Sequence, residues 1–263
     1  MLFALDVGNT TITVGLFRGS VLANHWRIST DRRKTEDEYG LLFLSLLSSS
    51  GTNPEDVRGA ILASVVPPLT GALEAAIDKY IGLSPIVVGP GTKTGINVKY
   101  ENPKEVGPDR IVNAVAAVRK YGGPVIVVDF GTATIFDAIS ENGDYLGGAI
   151  APGIFTSTNA LFEKAAKLPH IELAKPGAAI GRTTADSMRS GILYGFAAQT
   201  DGLVKRITQE LGGRAHVVAT GASADLVAPE SSTIQTVDPL LTLEGLCLVY
   251  QKNVSVGAAA RTT

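Results

Sequence analysis

Short apolar runs alternate with amphipathic segments along the chain. Runs of strand length that are rich in β-branched and other apolar residues predict strands. We expect seven of them: Leu2–Asp6, Ile12–Phe17, Ala60–Val65, Pro85–Val88, Val125–Asp129, Ile135–Ile139 and His216–Ala219. Helices are predicted between them, bounded by capping boxes, prolines and glycines. These are Thr35 to Leu47, Pro67 to Gly82, Pro108 to Gly122 and Ala185 to Leu211, with an apolar helical stretch at Leu243 to Tyr250. Strands that alternate with helices predict an α/β fold.

Part of this pattern occurs twice. The segment VIVVDFGTATIFDAI, residues 125–139, aligns without a gap on LFALDVGNTTITVGL, residues 2–16. The aligned Asp6 and Asp129 are 123 positions apart, which is close to half of the 263 residues. Chance similarity between two turns rich in Gly and Thr is one reading. The match of the apolar runs on both sides favours a duplicated domain, in which each half opens with a β-hairpin.

Each hairpin carries a carboxylate at the end of an apolar strand. A buried carboxylate without a partner is costly, so Asp6 and Asp129 are expected to meet cations or hydrogen-bond donors. One reading is that each Asp only caps its own turn. The other is that the two turns bind the phosphates of a nucleotide through backbone N–H groups and Thr hydroxyls, with the carboxylates holding hydrated Mg²⁺ or another cation.

The duplicated hairpin resembles the phosphate-binding signature of the superfamily of acetate and sugar kinases, Hsp70 and actin. Within that superfamily, the whole chain is similar to the type III pantothenate kinase family. The segments that carry the resemblance are Asp6-Val7-Gly8-Asn9-Thr10, Thr94-Gly95 leading to Tyr100, Gly107-Pro108-Asp109-Arg110, Asp129-Phe130-Gly131-Thr132-Ala133-Thr134 and Gly181-Arg182-Thr183-Thr184.

The resemblance implies two ribonuclease H-like, actin-like α/β lobes with a nucleotide cleft between them. Residues 1–121 would form the N-terminal lobe, with the first phosphate hairpin and the acceptor site. Residues 122–263 would form the C-terminal lobe, with the second phosphate hairpin and the adenosine side. The implied activity is ATP-dependent phosphorylation of pantothenate to 4'-phosphopantothenate, the first step of coenzyme A biosynthesis.

The resemblance also implies roles for individual residues. Asp109 would be the catalytic base, and Asp129 would bind a monovalent cation, K⁺ or NH₄⁺. The residues implied for ATP, used with Mg²⁺, are Asp6, Val7, Gly8, Asn9, Thr10, Thr11, Ile12, Thr13 and Thr132. The residues implied for pantothenate are Tyr100, Gly107, Pro108, Asp109, Arg110 and Thr184.

Position and chemistry support two of these roles. Asp109 follows Pro108 at a predicted helix start, where the helix dipole and free N–H groups would keep it ionised. Position alone favours an ordinary first-turn acid at Asp109. The neighbouring Arg110 changes that balance, because its guanidinium fork suits the carboxylate of pantothenate. The resemblance, and not position, implies that Thr184 reaches pantothenate from a neighbouring subunit, and hence a homodimer with composite sites. Thr183 stands where the family is expected to have Asn, and Ile135 where it more often has Thr.

Net charge and cysteine content exclude several classes of partner and of protein. The formal net charge is −2 with both signs interspersed, so neither nucleic acid nor an anionic membrane surface is an expected partner. A single cysteine, Cys247, excludes a disulfide framework. The basic cluster Asp31-Arg32-Arg33-Lys34 is interpreted as a solvated loop. We expect a soluble cytoplasmic enzyme. The rival functions are another small-molecule kinase of the superfamily and a non-catalytic transcription accessory protein on the same fold.

Overall fold

The computed structural model describes residues 1–165 and 168–259. The chain forms two compact units, neither of which is continuous in sequence. The first unit contains Met1–Ile96, Glu101–Ala116 and Leu241–Thr263. The second unit contains Asn97–Tyr100 and Ala117–Leu240. Within the described residues, no helix is both long and apolar enough to cross a bilayer.

Strands and helices alternate in both units. The strands are β1 Leu2–Val7, β2 Thr11–Arg18, β3 Val21–Ser29, β4 Gly59–Ser64, β5 Ile86–Val87, β6 Val125–Phe130, β7 Ala133–Ile139, β8 Tyr145–Pro152, β9 His216–Thr220 and β10 Thr236–Val237. The α-helices are α1 Glu36–Ser49, α2 Pro67–Ile81, α3 Pro108–Tyr121, α4 Ile154–Lys164, α5 Thr184–Glu210, α6 Ala224–Val227 and α7 Leu241–Ala259. The α/β prediction is confirmed.

The two sheets have the same topology. The first has the strand order β3-β2-β1-β4-β5 and the second β8-β7-β6-β9-β10. In each, the first two strands form an antiparallel hairpin, and the first strand also pairs in parallel with the fourth. A parallel partner requires a crossover connection, which helices supply in both units. This shared strand order supports the duplication that the sequence predicts.

One face of each sheet packs against helices to form a hydrophobic core. In the first unit, Phe3, Leu5 and Val7 of β1 point into a cluster that includes Phe43 of α1 and Leu73 of α2. In the second unit, the equivalent positions of β6 are Ile126, Val128 and Phe130, and they pack with residues of α5 and α6. Burial of these side chains, worth about 1.5–3 kcal/mol each, fixes which face of each hairpin is left for chemistry.

The helix caps agree with the sequence. Thr35 accepts the Glu38 N–H, and the Glu38 side chain accepts the Thr35 N–H, so the capping box forms at the start of α1. Helix α2 ends at Gly82, which adopts the left-handed conformation with φ of 74°, and α3 begins at Pro108. The missed elements are β3, β8, β10, α4 and the short α6.

The predicted division into residues 1–121 and 122–263 remains a prediction about the duplication. The compact units differ from it at the C-terminus, because α7 packs against β1, β2 and β4 of the first sheet. They also differ within α3, whose first part belongs to the first unit and whose last residues belong to the second.

Candidate functional site

The first hairpin ends in a polar turn. The last ladder pair is Val7 with Ile12, so residues 8–11 form the connection. The Gly8 N–H donates to the Thr11 carbonyl at 3.0 Å and closes the turn. Asp6 lies opposite Thr13 in the ladder, on the face of β1 that points away from the first core. A half-buried carboxylate and a hydroxyl therefore lie side by side behind the turn.

A loop after β3 supports this turn. The Thr30 hydroxyl donates to the Gly8 carbonyl at 2.7 Å, and the Thr30 N–H donates to the Thr10 carbonyl at 3.0 Å. The Arg32 guanidinium donates to Asn9 Oδ1 at 2.7 Å. Both the backbone and the tip of the turn are thus held from the β3 side.

The second hairpin has a shorter turn with different support. Its last ladder pair is Phe130 with Thr134, so residues 131–133 form the connection, one residue fewer than in the first hairpin. The Gly131 N–H donates to the Ala133 carbonyl at 3.0 Å. The Thr132 carbonyl accepts from the Gly153 N–H at 3.0 Å and from the Thr156 hydroxyl at 2.7 Å, which ties the turn to the start of α4.

The second turn is one residue shorter than the first, and this changes the register of strand pairing. The expected alignment of the two hairpins without a gap is therefore wrong beyond the turn. Asp129 lies opposite Ile135, whereas Asp6 lies opposite Thr13. A shift of one residue turns every later side chain to the other face of the sheet. Thr134 and Phe136 therefore face the second core, whereas their aligned counterparts Thr11 and Thr13 do not face the first.

Two consequences of the shift are visible in β7. Thr134 is fully buried, and its hydroxyl has no hydrogen-bond partner among the described residues. Asp137 aligns with Val14, which packs in the first core. The shifted register instead places Asp137 on the opposite face, together with Asp129. There the buried Asp137 carboxylate accepts a hydrogen bond from the Tyr145 hydroxyl at 2.8 Å.

The Asp129 carboxylate lies against a glycine at the end of β9. Gly221 has φ of +90°, and a Cβ at this position would collide with Asp129 Oδ1 and with the backbone of Phe130. Only glycine therefore lets the chain pass this close to the carboxylate. Gly221 therefore places backbone instead of a side chain against Asp129 Oδ1, and a carboxylate oxygen is a usual ligand of hard cations.

The Gly107–Arg110 segment forms the start of α3. Asp109 is its second residue and is half-buried, while Arg110 is 7% exposed. Asp109 Oδ1 accepts the Arg110 N–H at 2.9 Å and lies over Gly107, where an added Cβ would approach that oxygen to 2.5 Å. Loss of hydration on burial raises the pKa of Asp109, although the Arg110 N–H and guanidinium act to lower it. The helix N-terminus thus stabilises the ionised form as expected, but desolvation outweighs it.

Asp109 and the first hairpin are connected through Val65. The Val65 N–H donates to the Val7 carbonyl at 3.0 Å. Its side chain lies 3.5 Å from the position that a Cβ on Gly107 would take. The first unit therefore places Gly107, Pro108, Asp109 and Arg110 beside the base of the turn that carries Asp6 and residues 7–13.

Tyr100 belongs to the second unit, where it is held through Tyr145. The Tyr145 N–H donates to the Asn97 carbonyl at 2.9 Å, and the Lys99 N–H donates to the Tyr145 carbonyl at 2.8 Å. The rings of Tyr100 and Tyr145 lie 6.5 Å apart in a tilted arrangement. The position of Tyr100 therefore depends on Tyr145, whose hydroxyl binds Asp137.

Thr184 is the exposed first residue of α5. Thr183 is the N-cap of this helix, and its hydroxyl oxygen accepts the Asp186 N–H at 3.1 Å. The Thr found in place of the expected Asn is therefore a competent cap. Sequence reasoning missed Arg32, Asp137 and Tyr145. The basic run was the only signal for Arg32, and the Asp137 signal was an acid aligned with a core Val.

Comparisons with known proteins agree with this geometry. A family model described as type III pantothenate kinase matches residues 2–206. A type III pantothenate kinase from Moorella thermoacetica is 56% identical over 253 residues, which cover 96% of this chain and 100% of that protein.

Solved structures share the fold at low identity. A Campylobacter jejuni protein whose name assigns it to a Baf family of transcriptional activators has a TM-score of 0.62 at 18% identity, covering 96% of this chain and 99% of its own. The ethanolamine utilization protein EutJ from Carboxydothermus hydrogenoformans has a TM-score of 0.53 at 14% identity, covering 94% and 89%. An inorganic polyphosphate/ATP-glucomannokinase from an Arthrobacter strain has a TM-score of 0.50 at 14% identity, covering 95% and 97%.

These likenesses confirm an actin-like α/β fold with two ribonuclease H-like lobes. The family model covers more than half of the chain, and the 56% identical relative is matched over its whole length. The chain therefore belongs to the type III pantothenate kinase family.

Proposed function

We propose that the protein transfers the γ-phosphoryl group of ATP to the primary hydroxyl of pantothenate, yielding 4'-phosphopantothenate and ADP, the first step of coenzyme A biosynthesis. The observation that carries the proposal is the Gly107–Arg110 turn. It presents a half-buried carboxylate and a buried guanidinium side by side, and Val65 links it to the first hairpin. This is a proton acceptor and a carboxylate-binding group next to a turn suited to phosphates.

Asp109 acts as the general base in this proposal. The hydroxyl oxygen of pantothenate attacks the γ-phosphorus and forms a new P–O bond, while the bond from that phosphorus to the β–γ bridging oxygen breaks and ADP leaves. The hydroxyl proton passes to the Asp109 carboxylate. Burial raises the pKa of Asp109, which brings its basicity closer to the working pH and improves proton transfer.

The other acceptor-site residues would position pantothenate. Arg110 is buried, and we propose that its guanidinium binds the pantothenate carboxylate through bidentate hydrogen bonds. Tyr100, Gly107 and Pro108 are proposed to line the acceptor site, and Thr184 to contact pantothenate from the partner subunit of a homodimer. Its exposed position at the start of α5 is compatible with that role.

The nucleotide is proposed to bind through Asp6, Val7, Gly8, Asn9, Thr10, Thr11, Ile12 and Thr13 of the first hairpin and Thr132 of the second. Loose phosphoryl-transfer transition states are stabilised by positioning and by charge neutralisation. Mg²⁺ bound with ATP supplies part of that neutralisation. Asp6, half-buried beside Thr13, is suited to hold water molecules of a hydrated cation.

Asp129 is proposed to bind a monovalent cation, K⁺ or NH₄⁺. One carboxylate oxygen supports this proposal, because Gly221 leaves no side chain between its own backbone and Asp129 Oδ1. Carboxylate oxygens are common ligands of cations. We further propose that the enzyme acts in the cytoplasm, where ATP is available.

Two other functions are separable by experiment. Another small-molecule kinase would phosphorylate a different acceptor. A non-catalytic accessory protein, a role suggested by the name of the Campylobacter jejuni relative, would bind without turnover. The intact Asp109 beside an intact hairpin favours an enzyme.

The decisive experiment follows phosphorylation of pantothenate directly. Purified protein is incubated with Mg-ATP and pantothenate, with and without K⁺, and 4'-phosphopantothenate is measured by mass spectrometry beside ADP release. We expect one ADP per phosphopantothenate, only when pantothenate is present, and faster turnover with K⁺. ADP release with a sugar or acetate but not with pantothenate would identify another kinase, and no release with any acceptor would favour the accessory protein.

A further inference from the structure

The basic loop between β3 and α1, residues 30–34, is an ordered structure. The Tyr39 hydroxyl donates to the Asp31 carbonyl at 2.9 Å and accepts the Asp31 N–H at 3.1 Å. Thr30 is bonded to the first hairpin through both its hydroxyl and its N–H. The loop is therefore attached at one end to the proposed phosphate-binding turn and at the other to the buried Tyr39 of α1.

The cations of this loop have different surroundings. Arg33 pairs with Asp31 at 3.2 Å, and this contact lowers the pKa of Asp31. Lys34 lies 5.7 Å from the centroid of the Tyr39 ring. Arg32 instead extends along the hairpin and donates to Asn9 Oδ1 at 2.7 Å. It forms no ion pair with any residue of the described chain.

The Arg32 guanidinium has more N–H donors than its hydrogen bond to Asn9 uses. A guanidinium carries five N–H groups, and the hydrogen bond to Asn9 uses one of them. The side chain is exposed at the tip of the turn. Asn9 Oδ1 is an uncharged acceptor, so it orients the Arg32 guanidinium without neutralising its positive charge. The remaining N–H groups of the guanidinium stay available as donors with a fixed direction. That is the geometry in which arginine binds phosphate oxygens.

We propose that Arg32 is a further phosphate-binding residue, whose guanidinium donates to a non-bridging phosphate oxygen of the nucleotide at the first hairpin. Asn9 orients the fork, and Thr30 fixes the loop relative to the turn. The proposal rests on the nucleotide site of the proposed function and adds to it a cation from outside the hairpin. Charge from Arg32 offsets the phosphate charge that builds up in phosphoryl transfer.

The chain offers a matched control in the adjacent Arg33, which is also exposed but pairs with Asp31. Arg32→Gln and Arg33→Gln remove the same charge one residue apart. We expect Arg32→Gln to raise the dissociation constant of Mg-ATP about 10- to 100-fold, the range for hydrogen bonds to charged groups. Arg33→Gln is expected to leave it within about twofold, as for an exposed ion pair. Arg32→Lys should recover part of the loss.

The test is calorimetric titration of Mg-ATP into wild type and the three variants, at low and at 0.5 M salt, together with the steady-state constants for both substrates. A loss specific to Arg32, with an unchanged KM for pantothenate and a weaker salt dependence of ATP binding, supports the proposal. Equal ATP affinity of Arg32→Gln and Arg33→Gln overturns it.

The proposed function can fail independently. If the wild type does not phosphorylate pantothenate but still binds Mg-ATP in an Arg32-dependent way, the acceptor assignment is wrong and the role of Arg32 stands. If phosphopantothenate forms at the wild-type rate in Arg32→Gln at limiting ATP, the role of Arg32 is wrong and the activity stands.

Discussion

The two hairpins share one sequence motif but form different structures. In the first, the turn spans residues 8–11, Asp6 faces Thr13, and a basic loop with Arg32 lies against the tip. In the second, the turn spans 131–133, Asp129 faces Ile135, and the uncharged start of α4 holds the turn. The cationic surroundings of the first suit a polyphosphate, whereas the Asp129 carboxylate of the second, which lies against Gly221, suits a cation.

A single residue of turn length accounts for much of this difference. It reverses the face of every residue in β7 relative to β2. Without the shift, Asp137 would point into the second core, where an unpaired carboxylate costs several kcal/mol. With the shift, Asp137 accepts from Tyr145, which supports the segment that bears Tyr100. The turn motif occurs twice in the chain, and the different register of the second copy places Asp129 and Asp137 on one polar face.

Among the changes that separate the two hairpins, the largest expected effect comes from exchanging their carboxylates for amides. Asp6→Asn should lower kcat/KM for Mg-ATP by about 10- to 100-fold, since a charge-assisted contact is lost, and should leave the K⁺ requirement unchanged. Asp129→Asn should raise the K⁺ concentration for half-maximal activity by about tenfold or more for the same reason. Steady-state rates over a matrix of ATP and KCl concentrations measure both.

Asp78→Asn, on the exposed side of α2, is the control for loss of one negative charge. Asp78→Asn should change neither kcat/KM for Mg-ATP nor the K⁺ concentration for half-maximal activity. If Asp6→Asn and Asp129→Asn change the ATP dependence and the K⁺ dependence equally, the assignment of ATP to the first hairpin and K⁺ to the second is wrong.

A smaller effect is expected at Tyr145. Tyr145→Phe removes the hydrogen bond to Asp137 and keeps the ring, so the Tyr100 segment should lose alignment. We expect KM for pantothenate to rise about 2- to 10-fold, the worth of one hydrogen bond, while KM for ATP stays constant. Tyr80→Phe is the matched control, because the Tyr80 hydroxyl also donates to a carboxylate, Asp37, at 2.7 Å. A fall in thermal stability with unchanged KM in Tyr145→Phe would assign the bond to folding alone.

Sequence patterns predicted the buried strands and the capped helices, because these follow local rules of periodicity and capping. Strand β3 was missed, since it lies at the sheet edge with most side chains exposed and has no buried apolar run. Strand β8 was missed because its glycines and half-exposed positions break the alternation. The hairpin register could not be predicted, since 15 aligned letters fit either turn length and only core packing selects between them.

The residues of the candidate site also divide into those that a local sequence motif identifies and those that only tertiary contacts identify. Asp109 and Arg110 were found because the contiguous Gly107–Arg110 motif resembles that of the family, and the structure places them at the start of α3 as expected. Arg32 was dismissed as part of a solvated loop. Its relation to Asn9 depends on the pairing of β2 with β3, which brings residues 30–32 beside the turn. Contacts between residues distant in sequence carry no signature in a single chain.

The smallest expected effect tests the reversed face of β7. Thr134→Val replaces a buried hydroxyl, which has no hydrogen-bond partner among the described residues, by a methyl group of similar size. The free energy of unfolding should rise by about 1 kcal/mol, because an unsatisfied polar group is removed. Thr200→Val is the control, since the buried Thr200 hydroxyl donates to the Phe196 carbonyl at 2.8 Å. Thermal melts should shift upward for Thr134→Val and not for Thr200→Val. A downward shift for Thr134→Val would show that its hydroxyl is bonded.

The central claim, that Asp109 takes the proton of the attacking hydroxyl, is tested most directly by the pH dependence of kcat/KM for pantothenate. Burial raises the pKa of Asp109, and the protonated carboxyl cannot act as a base. Wild-type kcat/KM should therefore fall toward acid pH with an apparent pKa above the ordinary range of an aspartate. Asp109→Asn should lose about 10²–10⁴-fold in kcat/KM and the acidic limb with it. An Asp109→Asn enzyme with wild-type kcat/KM and the same acidic limb would contradict the account.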